Sequence, residues 1–368
     1  MAAASVSGEG RGDECDYLLN PLPASLRRAG ITASTSATDG GDTPPLCLDP
    51  GIADFDSIEF LTAMPSMPLV LSAPERATWE QALGDTFAAN PFLRHNVYAL
   101  AAIQRYRTAP LPQRDLLVAA CAHHAEASRL FRAAVVALNE RNWLAAYMFG
   151  VSMTLFYFSV VEGGPAAAAA DPAGAYFHDH LETFFALRSN AFLAVQLQPW
   201  FDRSPLLHVI AGNILRQTEP LDEACFDATE ELRHAVEEGG GRTLPRRQAD
   251  RAALRDAARA LQEWAVDTQG HPHTWKHLIW WPGRVSREFV SLLVRGEPAA
   301  LVALVNWCTA VARAPRRWYM DGWVLRTAGA AMYGLGPEWD PPLRWPRREL
   351  AARLAVSRYP PVDLLAGG

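Results

Sequence analysis

The sequence predicts an all-α fold, arranged as an irregular multi-helix bundle of antiparallel helical hairpins. Apolar residues recur at three- and four-residue spacing through most long segments, which is the period of a helix that buries one face. No stretch alternates apolar and polar residues for long enough to predict a sheet. The chain has 368 residues, 49% of them hydrophobic, and can bury a large core. Helix pairs of constant length do not recur, so an irregular bundle is favoured over a regular solenoid.

Residues 1–53 are predicted to form a disordered N-terminal tail. They are rich in Gly, Ser, Thr, Ala, Asp and Pro, with ITASTSATDGGDTPP as the extreme case. Such a composition buries too little apolar surface to become ordered. The first residues also lack the basic start and apolar stretch of a secretory signal. The helical body is predicted to cover residues 54–360.

The first three helices are indicated by proline positions and by apolar spacing. Pro74 opens a helix with Leu83 and Phe87 on one face, and Pro91 ends it. A second helix is predicted over residues 92–106 and a third over residues 116–139. Short turns between consecutive helices favour antiparallel neighbours, so this half is predicted to be built from helical hairpins.

The segment 144–161 is the most apolar part of the first half. It carries no charge and is close to the minimum length that spans a bilayer. It also contains hydroxyl side chains such as Ser152 and Thr154, and no basic cluster flanks it to set an orientation. A central helix buried on all sides is therefore favoured over a membrane span.

In the second half, a helix is predicted over residues 175–196, and Pro220 and Gly239 bracket another. The glycines that follow make residues 239–248 the best candidate for an internal linker. The next segment, 249–267, has one apolar stripe and predicts an amphipathic surface helix.

The last hundred residues are divided by proline and glycine. A stripe formed by Val285, Phe289 and Leu292 ends at Gly296. Pro298 then begins a helix that is apolar nearly all round, so this helix is expected to be central. Pro346 is expected to start the final helix.

Charge and cysteine content exclude several functional classes. The net charge of −6 argues against a surface that neutralises many phosphates. The five cysteines are widely dispersed and form no Cys-x2-Cys pair, which is typical of buried intracellular thiols and not of a zinc site or disulfide framework. We therefore assign no metal and no cofactor.

Histidines are the main candidates for acid-base or metal chemistry. His271, His273 and His277 lie in one short segment, but no carboxylate or thiol accompanies them there, so capping of a helix start is favoured over a metal site. His178 and His180 lack the spacing of known metal motifs. No phosphate-binding loop or Gly-x-Ser-x-Gly motif is present. The sequence thus favours a protein that is not an enzyme, and no catalytic residue is assigned.

The twelve tryptophans are the most distinctive residues, since their rings can form rigid apolar walls and their indole NH groups can orient a polar atom. We assign Trp280, Trp281, Trp318 and Trp323 as candidate lining residues of an apolar ligand pocket. Filling the core between helices is the commoner role for such rings, and both interpretations remain open at this point.

These landmarks also resemble a known family. In the second half they are, in chain order, Trp280-Trp281-Pro282, Val285, Phe289, Leu292, Gly296, Pro298, Leu301, Trp318, Gly322-Trp323, Trp339 and Trp345-Pro346. In the first half they are Trp79, Asn90-Pro91-Phe92-Leu93, Ala99-Leu100-Ala101-Ala102 and Asn142-Trp143-Leu144-Ala145-Ala146. Together they resemble the C-terminal regulatory domain of fungal zinc-cluster transcription factors of the sterol uptake control type.

The resemblance implies an all-helical regulatory module that senses a sterol or another apolar molecule and controls dimerisation and nuclear import. In the family this module follows a Zn2Cys6 DNA-binding cluster, which begins with a Cys-x2-Cys-x6-Cys block. Cys15 and Cys47 do not form that block. We therefore expect no direct sequence-specific DNA binding, unless an upstream exon encodes the cluster.

The functional hypothesis is a transcription-regulator-like protein without its own zinc cluster, located in the nucleus or cytoplasm. It would act through a zinc-cluster factor or as a homodimer, with a hydrophobic small molecule as ligand, in the control of a specialised-metabolite gene cluster. The alternative is an enzyme or carrier for a hydrophobic metabolite, with His178, His180 or the segment 271–277 as acid-base groups.

Overall fold

The computed structural model describes residues 73–109, 113–160, 175–204, 206, 220–238, 244–314, 317–333 and 335–356. These residues form twelve α-helices and one short 3-10 helix and contain no strand, which confirms the predicted all-α fold. The predicted tail, residues 1–53, and residues 239–243 of the predicted linker lie outside this part. In chain order the helices are α1 (Ala73–Ala89), α2 (Pro91–Thr108), α3 (Arg114–Ala134), α4 (Trp143–Val160), α5 (Ala175–Phe201), α6 (Glu223–Glu238), α7 (Gln248–Asp267), α8 (Trp275–Arg284), α9 (Arg287–Val294), α10 (Pro298–Ala312), α11 (Asp321–Met332), the 3-10 helix (Pro337–Trp339) and α12 (Asp340–Val356).

Helices α2 and α3 form an antiparallel hairpin that packs against α4. Phe92, at the start of α2, makes an edge contact with Phe131 near the end of α3, with ring centroids 5.3 Å apart. The Phe131 ring in turn stacks on Phe149 of α4 at 3.9 Å. These three aromatic side chains join the three helices at one level, and such pairs stabilise a core beyond the area they bury.

Helix α4 is long and apolar enough to cross a membrane by length and composition, but 83% of it is buried inside the protein. From Met148 to Val160 every side chain is buried. Hydroxyl groups in this stretch bond to carbonyls one turn earlier, as Ser152 Oγ does to Met148 O at 2.8 Å. Helix α4 is therefore a buried helix inside the protein, as the sequence analysis favours.

Helix α10 is the centre of the second half. It contacts α6, α7, α9, α11 and α12, and every residue from Ala299 to Val311 is buried. A helix that is apolar on all sides needs neighbours on all sides, and this arrangement provides them. The amphipathic helix α7 contributes Leu254, Ala258, Leu261 and Ala265 to the same core, which is the stripe predicted from its sequence.

Three helix ends differ from the predictions. Helix α3 ends at Ala134 and not at Asn139, since the next residue, Val135, leaves the helical conformation with φ −111° and ψ 81°. Helix α6 begins at Glu223 and not at Pro220, since Asp222 Oδ1 accepts a hydrogen bond from Cys225 N at 2.7 Å and caps the helix. Helix α5 continues past residue 196 to Phe201, with Pro199 inside its last turn.

The prediction that Pro346 starts the final helix is wrong. Helix α12 begins at Asp340, and Pro346 lies inside it. Proline has no N–H, so the carbonyl of Pro342 one turn earlier loses its intrahelical partner. The buried Asn306 of α10 replaces it, because its Nδ2 donates to Pro342 O at 3.2 Å and to Val302 O at 3.0 Å. A side chain from a neighbouring helix thus permits proline in the helix interior.

Replacing Asn306 with Leu is expected to destabilise the protein by about 1–3 kcal/mol, because it leaves the buried Pro342 carbonyl unpaired. Chemical denaturation followed by far-UV circular dichroism measures this change. The matched control is Thr309→Val, since among the described residues the buried Thr309 hydroxyl bonds to Val305 O, within its own helix. Equal losses for both variants would show that the bond between helices has no special role.

Helices α5 and α8 approach each other closely at Gly283. A Cβ atom at this position would overlap the Cβ of Ala191 on α5. Arg188, one turn earlier on α5, donates to the carbonyls of Pro282 and Val285 at the end of α8. Its guanidinium thereby satisfies carbonyls that the end of the helix leaves without partners. The close approach and these bonds fix α8, which carries Trp281, against α5.

Gly283→Ala is expected to cost about 1–3 kcal/mol of stability through overpacking. Ala191→Gly alone is expected to cost about 1 kcal/mol, because glycine is unfavourable within a helix. The double variant should be more stable than the sum of the two losses predicts, since each change makes room for the other. Urea unfolding of the four proteins tests this, and strict additivity would contradict the close contact.

Candidate ligand site in the aromatic core

Three tryptophan rings from three helices form a continuous row in the core of the second half. Trp281 of α8 stacks on Trp307 of α10 with centroids 5.6 Å apart. Trp307 makes an edge contact with Trp323 of α11 at 6.2 Å. None of the three side chains is exposed to solvent. We call these three residues the tryptophan row.

Phenylalanine and tyrosine rings surround the tryptophan row. Phe184 of α5 contacts both Trp281, at 5.8 Å, and Trp307, at 5.9 Å. Phe158 of α4 meets Trp323 edge-on at 5.0 Å. Since α4 also packs on the N-terminal hairpin, the row lies where the two halves of the protein meet.

The three indole NH groups of the row differ in their partners. Trp281 Nε1 donates to Ala257 O at 3.0 Å, and Trp323 Nε1 donates to His180 O at 3.2 Å. In the part of the chain that the structure describes, no acceptor lies within hydrogen-bond distance of Trp307 Nε1. A buried donor without a partner costs about 1–3 kcal/mol, so this atom is a candidate contact for a polar group of a ligand.

Polar side chains of α5 and α11 adjoin the row. His180 is fully buried, and its Nδ1 lies 3.0 Å from Thr327 Oγ1. Burial, with a smaller contribution from the nearby Arg326, lowers the pKa of His180 to about 3, so the ring is neutral at physiological pH. Thr183 lies one turn after His180 and precedes Phe184 in the sequence. It is also fully buried, and among the described residues its hydroxyl has no hydrogen-bond partner.

The four tryptophans assigned from the sequence occupy two environments. Trp281 and Trp323 belong to the row, and Trp307, which joins them, was missed. Trp280 is half-buried, with the Arg284 guanidinium 5.9 Å from its ring centroid, and Trp318 is half-buried against Tyr319 at 5.7 Å. Trp307 was missed because it lies within an unbroken apolar helix, where the surroundings in the sequence give no sign of a special role.

Two of the histidines considered as acid-base or metal-binding groups, His273 and His277, form hydrogen bonds at the start of α8. Thr274 caps α8 by accepting a bond from His277 N at 3.2 Å, and His277 Nδ1 accepts one from His273 N at 3.2 Å. This arrangement differs from a capping box in one bond, because His277 accepts from the N–H of His273 and not from that of the N-cap residue Thr274. Burial, with smaller contributions from His273 and Lys276, lowers the pKa of His277 to about 4. The described residues contain no group of three or more His, Cys, Asp or Glu able to hold a metal ion. The side chain of His178 lies outside the described part.

The three described cysteines are buried thiols. Burial raises the pKa of Cys121 and of Cys225 to about 12, and raises the pKa of Cys308 as well. At physiological pH these side chains are therefore protonated and are poor nucleophiles.

A second buried polar group lies between α2 and α3 and was not anticipated from the sequence. His95 Nδ1 and His123 Nδ1 are 3.0 Å apart. Burial, together with the neighbouring His95, lowers the pKa of His123 to about 4. Next to His95, the amide of Asn96 is buried, and in the described part of the chain neither its oxygen nor its nitrogen has a partner.

Comparisons with protein-family models, curated proteins and solved structures find no match to this chain.

Proposed function

We propose that this chain is a transcription-regulator-like protein that acts through protein partners, with an apolar or sterol-like molecule as ligand. It resembles the regulatory half of zinc-cluster transcription factors, and the block of closely spaced cysteines that binds zinc in those factors is absent from its sequence. A nuclear location and a role in the control of a specialised-metabolite gene cluster belong to the same proposal.

The observation that carries the proposal is the position of the family-like landmarks. Trp281, Trp323, Trp339 and Trp345, which are far apart in the sequence, are all buried in one hydrophobic core. These four landmarks therefore build the helical core together, whereas Pro91 and Gly296, which also belong to the resemblance, are exposed. Their order along the chain is what a shared framework requires.

The ligand part of the proposal is supported by the chemistry beside the tryptophan row. Its rings offer apolar surface, while Trp307 Nε1 offers a donor and the Thr183 hydroxyl offers both a donor and an acceptor. A largely apolar molecule with a single hydroxyl matches this combination, because apolar binding sites usually place a few polar groups to orient the ligand.

A carrier or enzyme for a hydrophobic metabolite is the second candidate function, and the same polar atoms favour the carrier form. Acid-base catalysis is less favoured, because a histidine with a pKa of about 3, such as His180, is a weak base at neutral pH.

Two measurements on the purified full chain and on a deletion strain test the regulatory proposal. Affinity capture with the tagged protein is expected to retain a zinc-cluster factor, and the deletion is expected to change transcript levels of a gene cluster. Unchanged transcripts together with altered metabolites would instead favour the carrier or enzyme. If neither a factor is captured nor a transcript changes, the regulatory proposal is wrong.

Ligand binding is tested with a fluorescent sterol as the probe, by energy transfer from tryptophan. Thr183→Val is expected to weaken binding about 5-fold or more, because it removes a hydroxyl that would bond to the probe. The control is Thr309→Val, which removes a buried hydroxyl that is satisfied within α10. Equal affinities for the two variants, or no binding by the unchanged protein, would contradict a sterol site beside the row.

A further inference from the structure

We propose that the exposed face of α7 is a self-complementary docking surface for α7 of a second copy of this chain. The second copy would be one of the protein partners of the proposed function, on which this proposal rests. The order of charges along α7 is the observation that supports it.

Four charged residues follow one another at four-residue spacing on the solvent side of α7. They are Arg255, Arg259, Glu263 and Asp267, and all four are exposed. Residues four apart on a helix lie on one inclined ridge. The ridge is basic in its first half and acidic in its second, and we call these four residues the α7 charge stripe.

The charge stripe is largely unpaired within the protein. Among the described residues, Arg255, Glu263 and Asp267 have no ion pair. Arg259 lies 3.7 Å from Asp256, but both side chains are more than half exposed, at 59% and 70%. Exposed pairs of this kind are weak, so Arg259 can exchange its partner at low cost.

The order of charges is complementary to itself in antiparallel orientation. When a second copy is related by a two-fold axis between residues 259 and 263, Arg259 lies opposite the second copy's Glu263. In the same register Arg255 lies opposite the second copy's Asp267. Two-fold symmetry repeats both pairs, which gives four ion pairs from one stripe. Alignment of the two ridges corresponds to a common class of helix crossing, with an interaxial angle of about −50°.

An apolar side chain supports this face. Val266 lies beside the stripe and is 42% exposed, one of few large apolar residues exposed in the described part of the chain. Contact between the two copies would cover it. The equal number of positive and negative charges favours a second copy over a polyanion such as nucleic acid, since a polyanion would be repelled by Glu263 and Asp267.

The test is sedimentation equilibrium of the full chain at several concentrations and salt levels. We expect a dimer at low ionic strength that dissociates when salt rises toward about 0.5 M, because salt screens exposed charges. Two variants, R255E/R259E and E263R/D267R, should each weaken self-association about 10-fold or more, since repulsion replaces attraction. Mixed together, they should form a heterodimer, because their stripes are then opposite in charge.

A matched control distinguishes the effect of the α7 charge stripe on dimerisation from the effect of the protein's net charge. Asp227 and Glu231 are exposed on the neighbouring helix α6, so D227R/E231R makes the same charge change as E263R/D267R and should leave the dimer intact. A monomer at all concentrations, or a mixture that fails to associate, would overturn the proposal. The proposed function fails separately: a dimer that captures no zinc-cluster factor and affects no transcript keeps this inference and removes the regulatory role.

Discussion

Acidification from about pH 7 to about pH 4 is expected to destabilise this protein strongly, ahead of the protonation of most carboxylates. The cause is three buried histidines, His123, His180 and His277, whose pKa values burial lowers to about 4, about 3 and about 4. An exposed histidine has a pKa of about 6.5.

The direction of the effect follows from proton uptake. At pH 7 all three rings are neutral in the folded protein and mostly neutral in the unfolded chain, so they do not oppose folding. Below about pH 6.5 the unfolded chain binds protons that the folded protein does not accept until about pH 4 or lower. Because the unfolded state binds more protons, stability is present above about pH 6.5 and is lost as pH falls toward the folded pKa values. Each histidine contributes on the order of 1 kcal/mol per pH unit in this window.

The free energy of unfolding, measured by urea denaturation between pH 7 and pH 4, tests this prediction. His180→Gln should make the pH dependence shallower, because glutamine does not titrate, whatever its effect on stability at pH 7. The control is His234→Gln on the surface of α6, where the side chain is 51% exposed. A slope unchanged by His180→Gln would contradict the assigned role of that side chain.

Replacement of Trp307 with Ala is expected to cost about 3–5 kcal/mol of stability, which is a large part of the total for most domains. Trp307 is fully buried and contacts Trp281, Trp323 and Phe184. Removal of its ring leaves a cavity at the centre of the tryptophan row, and surrounding helices relax into such a space only in part.

Phenylalanine substitutions make the prediction more specific. Trp307→Phe removes no hydrogen bond to a described residue, whereas Trp281→Phe also removes the bond from Nε1 to Ala257 O. Trp281→Phe should therefore lower the free energy of unfolding by about 1 kcal/mol more than Trp307→Phe does. Far-UV circular dichroism follows unfolding without relying on tryptophan emission. The half-buried Trp318 serves as control, and a loss on Trp318→Ala as large as that on Trp307→Ala would contradict a special role for the row.

Local sequence patterns predicted much of the fold because apolar spacing and helix punctuation are themselves local. Helices α1, α2 and α7 begin and end close to the predicted residues, and α10 begins at the predicted Pro298. The error at the final helix arose because a distant side chain changes the local rule. Pro346 was expected to start a helix, but Asn306, distant in the sequence, satisfies the carbonyl that a proline inside the helix leaves unpaired.

Only part of the candidate site was predicted, because one sequence shows local signals alone. Trp281 and Trp323 lie beside proline or glycine landmarks, whereas Trp307 lies within a continuous apolar segment. The pairing of His180 with Thr327 joins residues separated by 147 positions, and one sequence contains no local signal for such a contact. Unpaired buried atoms, such as the Thr183 hydroxyl, are recognisable only when all neighbouring helices are in place.

The length of α5 has a consequence for dividing this protein into pieces. Its 27 residues span about 40 Å and touch α4, α8 and α11. A fragment that started at residue 220 would lack Phe184 and would open Trp281 and Trp307 to water. A fragment that stopped at residue 160 would leave one side of α4 bare. Each of these fragments lacks part of the hydrophobic core, so the described helices are best expressed and studied together as one folding unit.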